Sequence, residues 1–111
     1  IEIFRAMPNT AIAIQESMTC VATDKPTEKT DEVLTLFDKL GKAVLIDESL
    51  MGAATILAAS GIAFALRFVR AASQGGIEIG FNSELAKLIT TQTPNRVRLA
   101  HTSSQPFGYL L

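Results

Sequence analysis

The chain has 111 residues, enough for one domain with a modest core. Its 11 acidic and 10 basic residues nearly cancel, which leaves no electrostatic footprint for nucleic acid. A single cysteine excludes an internal disulfide and fits a reducing, cytoplasmic setting; no signal peptide is apparent, although 48% of the residues are hydrophobic.

Ile1 to Met7 reads as a short strand entering a turn at Pro8-Asn9-Thr10. Ala11 to Ala22 carries further strand character, because Met18, Cys20 and Ala22 alternate with Ser17, Thr19 and Val21. The charged connector "TDKPTEKTDE" leads into a helix whose apolar face is Val33, Leu36, Phe37 and Leu40. Gly41 stands where a left-handed C-terminal residue is expected, and "KAVLI" is a short apolar strand.

Asp47 suits the cap of a helix beginning at Glu48. That helix runs to Ala59, Ser60-Gly61 interrupts it, and a second helix continues from Ile62 to Gln74, where Gly75-Gly76 stops it. After "IEIGF", Asn82 or Ser83 caps a helix reaching Gln92 or Thr93, and Pro94 ends the pattern. The final residues, from Pro94, have neither helical nor strand period and read as an irregular tail. Leu50 to Leu66 carries no charge and approaches the length of a membrane span. Its alanine content, Ser60, Gly61 and the following Arg67 fit a buried helix pair better.

A direct search for chemistry returns little. No glycine-rich phosphate loop is present, and "GGIEIG" has the wrong spacing. One histidine and one cysteine, far apart, form no metal cluster. His101 reads as solvated, and Asp31, Glu32, Asp47 and Glu48 are explained as charges at helix starts. Arg67 and Arg70 share a helical face, as an anion site would, but solvated or interface arginines do the same. These patterns describe a helix-rich, oligomeric domain and no particular activity.

A resemblance is more informative. "RAMPNTAIAIQESMT" resembles the R-x-M-P-N-T-P-x-x-x-x-x-G-M-T stretch of pyrroline-5-carboxylate reductases. "LFDKLGKAVLIDESLMGAATILAASGIAF" is similar to the helix, strand, acidic cap and small-residue helix that lead there into S-G-P-A-Y. "QGGIEIGF" and "LAKLITTQT" resemble that family's G-G-V-x-x-G-L loop and its next helix, so the resemblance covers residues 3–93 in order.

The resemblance implies an α+β fold, mostly helical. Residues 1–47 would be the last strands and helix of a Rossmann-type, dinucleotide-binding domain, and 48–111 a helical dimerisation domain, truncated or divergent after 93. It implies reduction of 1-pyrroline-5-carboxylate to proline with NADP or NAD, a small-molecule substrate, and a homodimer or higher homo-oligomer without membrane or nucleic-acid partners. Met7, Pro8, Asn9 and Thr10 match the loop beside the nicotinamide. Ser60 and Gly61 then suggest a cradle for the substrate carboxylate, built on the free N–H groups of a helix start. No residue is singled out as a proton donor or nucleophile, since a protonated imine needs positioning more than acid or base.

Four departures from the family pattern bear on function. No glycine-turn βαβ unit precedes Ile1, so the expectation is a fragment that is inactive alone. Ala11 and Ile62 replace prolines, and Phe64 replaces tyrosine. Arg67 stands where some members carry a substrate-contacting threonine; it is either an alternative carboxylate partner or a lost contact. After Thr93 the family's substrate-closing loop is missing, as a frame shift or an early chain end would produce. The alternative function is a non-catalytic dimerisation or binding module that retains the reductase scaffold.

Overall fold

The computed structural model describes the chain through Thr102, and its contacts separate it into two units, one ending at Phe64 and the other beginning at Ala65. The first unit holds strands β1 (Arg5–Met7), β2 (Ser17–Ala22) and β3 (Gly41–Leu45), in the order β1-β2-β3. β1 runs antiparallel to β2, with Met7 opposite Cys20; β3 runs parallel to it, with Ser17 opposite Gly41 and Val21 opposite Leu45. A parallel pair needs a crossover, and helix α1 (Glu28–Asp38) supplies it. Cys20, Ala22 and Met51 form the buried core, with Met7, Ile46, Ala54 and Ala58 packed around it.

Local chemistry accounts for where these elements begin and end. The Thr30 hydroxyl accepts the Thr27 N–H at 2.9 Å and closes the first turn of α1. Ala11 to Ile14 is not strand. Asn9 caps a short 3-10 helix, Thr10–Ile14, which Gln15 ends in a left-handed conformation (φ 59°). The cap and the reversal after it outweigh the apolar pattern there. Gly41 is not the left-handed cap of α1 either, since Lys39 ends that helix in right-handed geometry. Gly41 opens β3 at φ 141°, where a β-carbon would lie 2.1 Å from the Ser17 carbonyl oxygen.

Asp47 caps the next segment, accepting the Ser49 N–H at 2.8 Å. From Glu48 to Glu78 the chain is helical throughout. A 3-10 turn (Glu48–Leu50) is followed by α2 (Met51–Ala54), a π-turn (Thr55–Ala59) and α3 (Gly61–Glu78). The expected break at Ser60-Gly61 is a widened turn instead. Ser60 donates its N–H to Thr55 O at 2.9 Å, and its own carbonyl accepts from Ala63 and Phe64 at 3.0 and 3.3 Å. Gly75-Gly76 does not stop the helix, because Gly76 sits against α4, where a β-carbon would come within 3.2 Å of Ala86 Cβ. The turn follows at Gly80, whose φ of 118° favours glycine.

In the second unit Asn82 caps α4 (Ser83–Thr102), its Oδ1 accepting the Leu85 N–H at 2.9 Å. Pro94 lies inside α4 instead of ending it. Proline removes one intrahelical bond, and the helix continues past that single loss. The residues expected as an irregular tail are thus helical to Thr102; 103–111 and the His101 side chain lie outside the described residues. The alanine-rich helix is not a buried pair within this chain. Between Glu48 and Glu78 it is long and apolar enough to cross a membrane, and only 6% of its most apolar window is buried. Leu57, Phe64, Leu66 and Phe68 are all more than 60% exposed.

Candidate active site

The turn at the end of β1 is fixed by its own polar groups. Asn9 Oδ1 accepts the Ala11 N–H at 3.1 Å, and the Asn9 N–H donates to Ser17 Oγ at 3.3 Å. Ser17 is buried in β2 and shares a hydrogen bond of 3.2 Å with the buried hydroxyl of Thr19. Buried hydroxyls need partners, and here each serves the other while Ser17 also serves the turn.

The same turn is fastened to the long helix. Asn9 Nδ2 donates to the Ala58 carbonyl at 3.3 Å, and the Thr55 hydroxyl lies 2.9 Å from Met7 Sδ and 3.0 Å from Met51 O. Thr55 and Ala58 both belong to the π-turn that leads to Ser60. Arg5 forms an ion pair with Glu48 at the start of this helix; both side chains are well exposed, so the pair adds little.

The Met7–Thr10 segment therefore lies on the turn that ends at Ser60. Met7, Pro8 and Asn9 are half-buried and Thr10 is exposed. Ser60 is half-buried, and its hydroxyl bonds to none of the described residues. A β-carbon on Gly61 would meet nothing within 4 Å, so packing inside this chain does not demand glycine there. The Ser60 N–H, expected to be free, is held by Thr55 O, which leaves the hydroxyl as the donor of that residue. Arg67 belongs to the second unit, is exposed, and pairs with no acid among the described residues.

Thr55, Ser17 and Thr19 were not singled out from the sequence. Thr55 is a hydroxyl in an apolar, alanine-rich run, and that is the signal which marks it. Cys20 is buried and unpaired. Among the described residues no three histidine, cysteine or carboxylate side chains cluster as metal ligands. An open apolar groove of about 480 Å3 runs between the helices of the second unit, lined by Phe68, Ala72, Ile89, Thr90, Thr93 and Pro94.

Comparison with known proteins gives this arrangement a context. A family model described as pyrroline-5-carboxylate reductase dimerisation matches residues 48–105, which extends past Thr93 into the segment whose sequence departs from the family pattern. Pyrroline-5-carboxylate reductase 1 of Dictyostelium discoideum is 44% identical over 106 residues, covering 84% of this chain and 19% of that protein. The Neurospora crassa reductase is 43% identical over 94 residues, covering 82% of this chain and 28% of that protein.

Solved structures agree. The Plasmodium falciparum pyrroline carboxylate reductase with NADP bound superposes with a TM-score of 0.86 at 28% identity, covering 98% of this chain and 45% of that one. The Streptococcus pyogenes reductase does so with a TM-score of 0.85 at 29% identity, covering 96% and 42%. The chain thus spans less than half the length of these relatives. A mostly helical chain with a three-stranded sheet, matched in sequence over its helices and in structure over nearly all its length, belongs to the pyrroline-5-carboxylate reductase family.

Proposed function

We propose that the protein carrying this chain reduces 1-pyrroline-5-carboxylate to proline with NADPH or NADH, in the cytoplasm, as a homodimer or higher homo-oligomer. On this reading the chain is a fragment that is inactive alone, its residues 1–47 completing a dinucleotide-binding domain and 48–111 forming the dimerisation domain. The observation that carries it is the fastening of the Met7–Thr10 loop to the π-turn that ends at Ser60. Such an arrangement sets a hydride donor and its acceptor on one support.

The residues present suit the nicotinamide end of the cofactor. Met7, Pro8, Asn9 and Thr10 form a capped loop at the end of a strand, while no glycine-rich phosphate turn occurs in the sequence. The phosphate-binding turn then falls in the part of the relatives' length that this chain does not span. When bound, the reduced nicotinamide supplies hydride. That hydride would go to the C=N carbon of the protonated imine, for which this chain's residues supply position and not a proton. Ser60 donates its hydroxyl to the substrate carboxylate, and the uncovered backbone at Gly61 lets that carboxylate approach. Arg67, where some family members carry a threonine, is either an alternative carboxylate partner or a lost contact.

The exposed helices support the oligomer. Large apolar side chains such as Leu57, Leu66 and Phe68 stand exposed along the helix, and the matched family is named for dimerisation. A second copy, not lipid, is the partner this favours.

The decisive experiment is Ser60→Ala in the full-length reductase. Loss of one charge-assisted hydrogen bond should lower kcat/KM by roughly 5- to 150-fold, about 1–3 kcal/mol, with little change in melting temperature. An unchanged kcat/KM would place the carboxylate elsewhere.

A further inference from the structure

The π-turn between Thr55 and Ala59 is an irregularity that something must hold in place. Ala58 packs against the core, and two hydrogen bonds from outside the helix also reach the turn, one at Thr55 and one at Ala58. The Thr55 hydroxyl lies 2.9 Å from Met7 Sδ, and Asn9 Nδ2 lies 3.3 Å from the Ala58 carbonyl. Both originate in the Met7–Thr10 segment. The orientation of the Asn9 amide is dictated by its neighbours: Oδ1 faces an N–H and Nδ2 faces a carbonyl, so reversal would oppose donor to donor and acceptor to acceptor.

We propose that Asn9 and Thr55 are positioning residues, which lock the π-turn so that Ser60 presents its hydroxyl at the height and angle the substrate requires. The proposal rests on the reading of Ser60 and Gly61 as the carboxylate cradle. Its physical content is register. A π-turn accommodates one more residue than an α-turn, so its relaxation would turn Ser60 by about 100° and move it about 1.5 Å along the axis. Without a lock, the hydroxyl samples both registers. Asn9 thereby acts as a strut between the loop and the helix, its amide committed to protein partners on both sides.

Thr55 offers the cleaner test, because its side chain is exposed and valine matches its shape. Its single hydroxyl proton serves Met7 Sδ and Met51 O in turn or together, and valine removes both contacts. In the full-length reductase, Thr55→Val should lower kcat/KM for pyrroline-5-carboxylate by about tenfold, mostly through KM, with the KM for the nicotinamide cofactor within about twofold of wild type. Thr55→Ser keeps the proton and should recover most of the loss. Asn9→Asp keeps the acceptor for the Ala11 N–H but turns an oxygen toward the Ala58 carbonyl, and should show the same rise in substrate KM.

A structural defect alone would lower kcat through less folded enzyme and leave both KM values unchanged. That pattern overturns the proposal, as does a Thr55→Ser enzyme no better than Thr55→Val. Ser60→Ala, measured in parallel, separates the two ideas. If Ser60→Ala is impaired while Thr55→Val and Asn9→Asp are not, the cradle stands and the positioning role is wrong. If Ser60→Ala is normal, the cradle fails and the positioning role with it. Should Asn9→Asp fail to fold, the Thr55 pair decides alone.

Discussion

The two units of this chain are stabilised in different ways. The first has a small buried core, although Ile3, Leu57 and Phe64 in it stand exposed: Val21, Ala22, Cys20 and Met51 are buried, and the buried hydroxyls of Ser17 and Thr19 bond to each other. In the second, Ala86 is the buried hydrophobic residue among those described, while Phe68, Leu88 and Ile89 stand exposed at 63%, 56% and 44%. Burial of an apolar side chain is worth about 1.5–3 kcal/mol, so the second unit forgoes much of its stability until something covers it. In the proposed function the first region carries the nicotinamide loop and the carboxylate cradle. In that reading the second offers the surface through which copies would associate.

The comparison breaks first at Gly41, where β3 pairs with β2 in the first unit. Alanine there meets the Ser17 backbone, with a β-carbon 2.1 Å from the carbonyl oxygen and 2.3 Å from the nitrogen, at a φ few L-residues adopt. These are backbone atoms paired across β2 and β3, and no rotamer change relieves the collision. Gly41→Ala should therefore cost more than about 3 kcal/mol, read as a large fall in melting temperature or in soluble yield. A melting temperature within about 2 °C of wild type would show that the sheet yields easily.

Phe68→Glu tests the other side. The ring lies in the groove with Ile89 and Pro94, and is 63% exposed among the described residues. A charge there should weaken association by about 2–4 kcal/mol and shift the full-length protein toward smaller species in size-exclusion chromatography with light scattering. The first unit should keep its fold, since its buried residues do not include Phe68. An unchanged molar mass would remove this face from the interface.

How legible each region was follows from the same contrast. β2, α1, β3 and the Asp47 and Asn82 caps show in the sequence because local pattern and local chemistry agree there. Thr10–Ile14 did not, because an apolar run resembles a strand until the Asn9 cap and the Gln15 reversal are known. Ser60-Gly61, Gly75-Gly76 and Pro94 all looked like helix ends, and none is one. A glycine costs a helix about 1 kcal/mol and an interior proline about 3, which neighbouring contacts can offset. At Gly76 the contact is Ala86, a residue ten positions on, and at Ser60 it is Asn9 and Thr55 acting on the turn before it. The loop and the small-residue helix were visible separately; their fastening was not, because it depends on pairs almost fifty residues apart.

The smallest expected effect concerns the start of the long helix. Asp47 accepts from the hydroxyl and the N–H of Ser49, and these two bonds hold its carboxyl below its ordinary value of 3.8, the hydroxyl contributing more. A carboxyl whose affinity for protons falls on folding contributes stability that is present above its unfolded value and lost as pH drops through its folded value. Asp47 is fully exposed, so solvent keeps the contribution small. Wild type should melt slightly above Asp47→Ala at neutral pH, and the gap should close as the solution is acidified below the usual carboxylate range. Asp47→Asn keeps an acceptor for the Ser49 N–H but cannot ionise, so any advantage it holds over alanine should not vary with pH across that window. Melting curves of the three proteins across that range decide the point. A gap between wild type and alanine that persists at low pH would mean the cap works without its charge, whereas no gap at any pH would leave the start of the long helix to the packing of the neighbouring Met51.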